Sequence, residues 1–234
     1  MSILITGGAG YIGSHVVHEL LSGRDELIVL DKSAERHRSV PGLTIVSGDC
    51  ADNALLAALI DGHGVTDIIH LAGSPVVPDS FDDPARSYGD ALATRALVGV
   101  AADLGVRNFV LCSSAAVYGH AGPDAVAETS VPSPISPYAR SMLMSEMMLQ
   151  DLAATGGLRY VILRTFNVAG LDLGARTSVA QASPASLVRR ATALALGESG
   201  AIEVFSAATP AGDGTPIRDY LHVSDLARAH VDAL

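Results

Sequence analysis

Two hydroxyl-bearing residues, Ser114 and Tyr138, have the types and placement needed to move a proton to or from an alcohol. Ser114 ends a segment predicted to be a strand, and Tyr138 opens the predicted helix that follows the next loop. A serine hydroxyl can orient a substrate alcohol while a tyrosine oxygen takes its proton during hydride transfer. Each residue taken singly is more often structural than catalytic. Their position at the ends of neighbouring elements makes them a candidate catalytic pair.

A glycine-rich turn near the start of the chain has the spacing of a dinucleotide phosphate cradle. Residues 3–6 are predicted to form a strand, and Gly7, Gly10 and Gly13 separate it from an apolar-periodic helix that runs to Leu21. The first glycine permits a tight turn, the second lets the backbone approach a pyrophosphate, and the third allows close packing of helix on strand. The free N–H groups at the helix N-terminus attract anions.

The second predicted strand, residues 27–30, leads directly into Asp31. An acid at this point can accept hydrogen bonds from both hydroxyls of an adenosine ribose and repels a 2′-phosphate. The strand, turn, helix and acid together predict NAD rather than NADP as the cofactor. A purely structural βαβ unit is the alternative.

Strands and helices alternate along most of the chain. Strands are predicted at residues 3–6, 27–30, 43–46, 67–71, 108–112 and 159–163, and helices at 52–60, 84–104, 138–153, 186–196 and 224–234, the last capped by Ser224. Alternation with short linkers favours a parallel, doubly wound sheet. The predicted fold class is therefore α/β, a Rossmann-like doubly wound parallel sheet with a small, incomplete C-terminal substrate lobe. Residues 1–168 would form the NAD-binding domain and residues 169–234 a partial substrate-binding lobe interleaved with the last sheet elements.

In such a sheet, ligands collect at the carboxyl ends of the strands. Gly7, Asp31, Ala72 and Ser114 all fall at predicted strand ends. We therefore expect one site that contains both the cofactor cradle and the hydroxyl pair.

Composition excludes several classes of partner. The chain has 234 residues, 49% of them hydrophobic, and a net charge of −10 with no basic run, which argues against nucleic acid and anionic membranes. We expect no membrane span and a cytoplasmic location, because the apolar stretches are short and no secretory signal is visible.

Cys50 and Cys112 are expected to be small core residues in a reducing compartment. His15 and His18 share a helix face without a third ligand, so no metal site is predicted.

Several motifs resemble those of the extended short-chain dehydrogenase/reductases. They are Gly-Gly-Ala-Gly-Tyr-Ile-Gly-Ser-His at 7–15, His-Leu-Ala-Gly at 70–73, Cys-Ser-Ser-Ala-Ala-Val-Tyr-Gly at 112–119, Ser-Pro-Ile-Ser-Pro-Tyr-Ala at 133–139, Leu-Arg-Thr-Phe-Asn-Val-Ala-Gly at 163–170 and Asp-Gly-Thr-Pro-Ile-Arg-Asp-Tyr-Leu-His-Val-Ser-Asp-Leu-Ala at 213–227. Within that family the chain is most similar to the UDP-sugar 4-epimerase group. Related dehydratases carry an Asp-Glu pair after the serine, where this chain has Ala115 and Ala116.

The resemblance implies tightly held NAD, a UDP-hexose substrate and a homodimer paired through the helices at 84–104 and 138–153. Tyr138 would remove the 4-hydroxyl proton, and Arg218 would contact a phosphate. The cofactor-binding residues implied in this way are Tyr11, Ile12, Asp31, Asp49, Cys50, Leu71, Ala72, Gly73 and Phe166. The residues implied to hold the UDP portion are Asn167, Leu187, Phe205 and Arg218.

The chain departs from the family pattern at the residue expected to assist Tyr138. The family has a lysine four residues after the tyrosine, on the same helix face, which lowers the tyrosine pKa. Here that residue is Met142, and Arg140 faces elsewhere. Pro75, Ala91 and Ser186 also replace family residues that contact the cofactor or the UDP moiety.

Three functions are compatible with this sequence. The first is an NAD-dependent UDP-hexose 4-epimerase with a weakened proton relay. The second is a different redox reaction on a related nucleotide sugar. The third is a non-catalytic protein that binds NAD or a nucleotide sugar.

Overall fold

The structure, a computed structural model, describes residues 1–23, 26–34, 42–73, 77–120, 124–172, 174, 186–202 and 217–234. Its centre is a six-stranded parallel sheet with the strand order β3-β2-β1-β4-β5-β6. The strands are β1 (Ser2–Thr6), β2 (Glu26–Asp31), β3 (Leu43–Ser47), β4 (Asp67–His70), β5 (Asn108–Ser114) and β6 (Arg159–Thr165). This is the doubly wound order of a Rossmann fold, so the predicted fold class is confirmed.

Helices follow the strands along the chain, and several of them cover the two faces of this sheet. The helices are α1 (Tyr11–Leu20), α2 (Asn53–Gly62), α3 (Asp79–Asp82), α4 (Pro84–Asp103), α5 (Pro137–Gly156), α6 (Leu187–Ala195) and α7 (Val223–Asp232), with a short 3₁₀ helix at Ala115–Tyr118. Within the described ranges, none of these helices combines the length and apolar character of a membrane span.

Local capping sets several helix starts. The Asp52 carboxylate accepts hydrogen bonds from the N–H groups of Ala54 and Leu55, as expected for the predicted start of α2. Ser136 caps α5 through the N–H of Ala139. The predicted cap of the last helix is wrong: the His222 ring, not Ser224, caps α7, and its Nδ1 accepts the N–H of Ser224 at 3.2 Å.

A second, two-stranded parallel sheet follows the main one. It pairs β7 (Asn167–Ala169) with β8 (Tyr220–His222), and α7 then packs on α1. Ala227 of α7 lies in the same apolar core as Val16 and Val17 of α1 and Ile3 of β1. The C-terminal residues are thereby packed onto the first βα unit.

A buried histidine links the sheet to its helices. His70 of β4 is 2% exposed; Thr6 Oγ1 donates to its Nδ1 at 2.6 Å, and its Nε2 donates to Thr94 Oγ1 of α4 at 2.9 Å. The Thr94 hydroxyl in turn donates to the carbonyl of Asp90. Burial lowers the His70 pKa to about 4, because the imidazolium would lose its hydration.

This histidine is expected to make the fold sensitive to mild acid. Its folded-state pKa lies below the unfolded value, so its stabilising contribution is present above about pH 6.5 and is lost as the pH falls toward 4. Between pH 7 and pH 5 the free energy of unfolding should fall by about 2 kcal/mol through this group. Urea titrations of the wild type and of His70→Gln at the two pH values should show a shallower pH dependence in the variant.

The matched control for that experiment is Ser87→Ala, which alters a buried side chain that does not titrate between pH 7 and pH 5. This change should leave the pH dependence of the free energy of unfolding as it is in the wild type. Equal slopes in the wild type and in His70→Gln would show that His70 is not the titrating group.

Candidate functional site

The carboxyl ends of the main-sheet strands open into a single cavity of about 2650 Å³. Every residue predicted to bind the cofactor lines it: Gly7, Gly10, Tyr11, Ile12, Gly13, Asp31, Asp49, Cys50, Leu71, Ala72, Gly73 and Phe166. Ser114 and Tyr138 line the same cavity. The tertiary structure therefore brings the glycine turn and the hydroxyl pair to one site.

The glycine turn leaves no room for side chains where the strand meets the helix. Gly7 has a φ of +73°, and a Cβ there would lie 2.5 Å from the backbone nitrogen of Ala72. At Gly13 a Cβ would lie 2.2 Å from the carbonyl oxygen of Gly7. These contacts explain the first and third glycines, and they let the N-terminus of α1 face the cavity with its N–H groups.

Asp31, at the end of β2, is held in place by backbone donors. The N–H of Ala9 donates to its Oδ2 at 3.0 Å, and the N–H of Ser33 donates to its Oδ1 at 2.8 Å. A carboxylate oxygen can accept more than one hydrogen bond, so both oxygens remain able to accept ribose hydroxyls. The donor set and the cradle beside it fit a dinucleotide.

The structure adds Lys32 to this end of the cavity, a residue that the sequence did not single out. Its Nζ lies 2.8 Å from Asp49 Oδ2, while Asp49 Oδ1 accepts the N–H of Ala51. The ammonium lowers the pKa of the Asp49 carboxyl. Both side chains are largely exposed, which makes the pair weak and salt-sensitive. The only signal for it in the sequence is that Lys32 directly follows Asp31.

Ser114 and Tyr138 line the same stretch of the cavity wall. Ser114 ends β5 and its Oγ accepts the N–H of Ala116, while Tyr138 lies in the first turn of α5. The Ser114 side chain is close enough to Tyr138 to lower the pKa of its phenol. Ala115 and Ala116 also line the cavity, so these two positions bring methyl groups and no carboxylate to it.

The environment of Tyr138 opposes ionisation. Burial raises its pKa, the nearby Ser114 side chain acts in the opposite direction, and the negative charge of the Asp90 carboxylate raises it further. Met142, four residues along α5, lines the cavity and is 9% exposed. A thioether carries no charge, so it does not stabilise the phenolate as an ammonium would.

The two cysteines beside the cavity are poor nucleophiles. Burial raises the pKa of the Cys50 thiol to about 11 and that of the Cys112 thiol to about 12. Because the thiolate is the reactive form, both are inert near neutral pH.

The residues predicted to hold a UDP portion separate into three groups. Asn167 and Arg218 line the cavity. Leu187 is 53% exposed and is not among the described lining residues, although its neighbours Ser186 and Val188 are. Phe205 lies outside the described residues, as does Pro75.

Helix α1 is also tied to the segment after β7. The Tyr11 hydroxyl donates to the carbonyl of Gly170 at 2.6 Å, and His15 Nε2 accepts the N–H of Asp172 at 3.2 Å. Gly170 has a φ of +102°, and a Cβ there would collide with the His222 ring. These contacts hold the cavity walls formed by Tyr11 and Gly170 together. The described residues contain no group of three His, Cys, Asp or Glu side chains that could hold a metal ion.

The comparisons with known proteins agree with this geometry. A family model described as the NAD dependent epimerase/dehydratase family matches residues 3–234. The UDP-glucose 4-epimerase of Azospirillum brasilense is 43% identical over 235 residues, which cover 99% of this chain and 68% of the relative. The UDP-glucose 4-epimerase of Rhizobium meliloti is 36% identical over 237 residues, which cover 100% of this chain and 72% of the relative.

Solved structures superpose on most of the chain. UDP-glucose 4-epimerase from Brucella ovis in complex with NAD matches with a TM-score of 0.88 and 36% identity, covering 99% of this chain and 72% of that one. The enzyme from Stenotrophomonas maltophila, with bound NAD and formylated UDP-arabinopyranose, matches with a TM-score of 0.91 and 35% identity, covering 100% and 73%.

Proposed function

Because the chain belongs to the NAD dependent epimerase/dehydratase family, we propose that it is an NAD-dependent 4-epimerase of UDP-hexoses. The observation that carries the proposal is the placement of Ser114 and Tyr138 in the same cavity as the glycine turn and Asp31. The bound NAD of two superposable epimerase structures supports the cofactor, and the UDP-glucose 4-epimerase activity of the relatives supports the substrate class.

The cofactor would lie along the strand ends. The N-terminus of α1 would hold its pyrophosphate, Asp31 its adenosine ribose, and Asp49 and Cys50 the adenine end. Leu71, Ala72, Gly73 and Phe166 would line the remainder of its path. NAD, when bound, supplies reversible hydride acceptance from a carbinol carbon.

The chain itself would handle the proton and the orientation of the sugar. Ser114 would hold the 4-hydroxyl in hydrogen-bond contact while the Tyr138 oxygen removes its proton, and Tyr138 would return the proton after the 4-keto sugar has turned over. Asn167 would contact the UDP portion, with Arg218 on a phosphate.

The raised pKa of Tyr138 predicts how the rate depends on pH. Below the pKa of a phenol, each unit of pH increases the phenolate fraction about tenfold. We therefore expect slow turnover at pH 7 and faster turnover near pH 9.

The test follows the anomeric protons by NMR after purified protein is mixed with NAD and UDP-glucose, UDP-galactose or UDP-N-acetylglucosamine, at both pH values. Appearance of the C4 epimer supports the proposal and identifies the sugar. Lack of product at both pH values, from protein that binds NAD, would contradict it.

That last outcome corresponds to a second candidate, a protein that binds NAD and a nucleotide sugar without turning the sugar over. Met142 favours it, because the position that could activate Tyr138 carries no charge. Formation of reduced cofactor without epimer would instead indicate a different redox reaction on the nucleotide sugar.

Replacing Asp31 tests the cofactor specificity. Asp31→Ala removes the ribose acceptor and the negative charge, so the Kd for NAD should rise about tenfold while the discrimination against NADP shrinks. Calorimetric titration with both cofactors measures the change. Asp52→Ala, which removes only a helix cap, should lower stability without altering the preference. An unchanged preference in Asp31→Ala would contradict the assigned role.

The proposed assembly is a cytoplasmic homodimer. Helices α4 and α5 pack on each other and expose Leu92 (59%), Met144 (40%) and Met147 (55%). Apolar side chains on adjacent helices suit a two-fold interface. Leu143 and Met148 are half-buried and would flank it. Light scattering should give the mass of two chains, and Met147→Glu should shift the protein to one chain.

A further inference from the structure

Behind the Ser114–Tyr138 pair lies a buried ion pair, Glu146–Arg164. Glu146 is on α5, eight residues after Tyr138, and is 1% exposed. Arg164 of β6 forks onto its carboxylate: NH2 donates to Oε2 at 2.7 Å, and Nε lies 3.1 Å from Oε1 and 3.2 Å from Oε2. Burial makes an unpaired carboxylate costly, so this geometry strongly constrains where α5 can sit.

The same carboxylate reaches the strand that ends in Ser114. Glu146 Oε1 accepts the hydroxyl of Ser113 at 2.5 Å, and Ser113 is 2% exposed. The carbonyl of Ser113 is bonded as well, since it accepts the Thr165 hydroxyl at 3.0 Å. Strand β5 and helix α5 are thus joined through Ser113–Glu146, and the same strand and helix carry Ser114 and Tyr138.

Arg164 extends the cluster to the other side of Ser114. Its NH1 donates to the Tyr118 hydroxyl at 2.8 Å, and its guanidinium lies 4.9 Å from the centre of the Tyr118 ring. Tyr118 belongs to the 3₁₀ helix that begins directly after Ser114, and it lines the cavity. A planar, always charged guanidinium can make the fork and the stacking contact together, which an ammonium cannot.

We propose that Glu146 and Arg164, acting through Ser113, are positioning residues that fix Ser114 relative to Tyr138. The proposal rests on the proposed function for its effect on kcat. Its effect on the titration of Tyr138 can be measured without turnover. Ser113 and Ser114 are consecutive, so a shift of the first displaces the second. The cluster leaves the glycine turn and Asp31 untouched, so cofactor affinity should not depend on it.

The mildest test is Ser113→Ala, which removes one hydroxyl and keeps the ion pair. We expect kcat to fall about tenfold with KM and the Kd for NAD unchanged. The pH–rate profile should move to higher pH, because a displaced Ser114 side chain no longer lowers the Tyr138 pKa. Ser87→Ala, at another serine that is 3% exposed, is the matched control and should change neither quantity.

Two further variants grade the effect. Glu146→Gln replaces one acceptor oxygen by an amide that donates, so kcat should fall by about 100-fold or more if the protein folds. Arg164→Lys keeps the positive charge but loses the two-point hydrogen bonding of the guanidinium. Its kcat should lie between those of Ser113→Ala and Glu146→Gln. Folding is checked by the thermal transition and by NAD binding.

A readout without substrate separates this proposal from the proposed function. The ring carbon resonance of Tyr138, assigned by its loss in Tyr138→Phe, is followed against pH in protein labelled with 13C-tyrosine. Its titration should move to higher pH in Ser113→Ala and stay in place in Ser87→Ala. If neither the titration nor kcat changes in folded Ser113→Ala and Glu146→Gln, the positioning role is wrong. If the titration moves but the wild type never makes epimer, the proposed function fails and the positioning role stands.

Discussion

Replacing Tyr138 by phenylalanine is expected to lower kcat by about 100-fold or more, which is the usual contribution of a general acid–base group. In the proposed function the phenol oxygen takes the 4-hydroxyl proton, and Tyr138 lines the same cavity as Ser114. Phenylalanine keeps the ring and its packing, so the Kd for NAD and the KM for the UDP-sugar should change little. The measurement is epimer formation by NMR with enzyme in excess over substrate.

The matched control is Tyr160→Phe, which removes a hydroxyl from a tyrosine of β6 that is 41% exposed. It should retain the wild-type rate. Wild-type turnover in Tyr138→Phe would overturn both the epimerase proposal and the alternative redox reaction in the form assigned here.

Replacing Met142 by lysine is expected to raise kcat at pH 7 by about 10- to 100-fold. Residues four apart share a helix face, so an ammonium at 142 would lie beside the Tyr138 oxygen and lower its pKa by about one to two units. Each unit increases the phenolate fraction about tenfold. The nearby carboxylate of Glu146 already binds Arg164 and Ser113, which leaves the new ammonium to Tyr138. The pH–rate profile of the variant should level off at a lower pH than that of the wild type.

Two controls separate charge placement from general effects of a lysine on α5. Gln150→Lys adds the same charge at an exposed residue of α5 that is not among the lining residues described, and it should leave the profile unchanged. Met142→Leu keeps an apolar side chain of similar volume and should retain wild-type activity. If Met142→Lys folds and binds NAD but shows no gain at pH 7, the missing lysine is not what limits this site.

Much of the fold could be predicted from short segments. The apolar runs of β1, β2 and β4 alternate with helix signals, and a parallel sheet covered on both faces needs this pattern. The cap at Asp52 was predictable because a side chain bonds N–H groups two and three residues away. The cap of α7 was not, because a serine near the start of a helix is a common cap and His222 competes for the same position only in the folded backbone.

The candidate site was predictable where a residue has one local role. The turn at Gly7, the acid at the end of β2 and the hydroxyl at Ser114 follow from what each strand end must present, and Tyr138 follows from the start of the helix after the next loop. The side of α6 that faces the cavity was not predictable from the sequence. It depends on how the helix is rotated about its own axis, which the local sequence pattern does not determine. Val188 lines the cavity, and Leu187 is half exposed.

The sequence by itself determined the strand–turn–helix cradle, the acid at residue 31, the hydroxyl pair and the uncharged residue at 142. These depend on sterics and hydrogen bonding among residues close in the chain, which one segment contains in full. Only the tertiary structure decided that Lys32 meets Asp49 and that Glu146 meets Ser113 and Arg164. Those partners are distant in the chain, and a charged side chain has many possible partners until the packing of sheet and helices leaves one within reach.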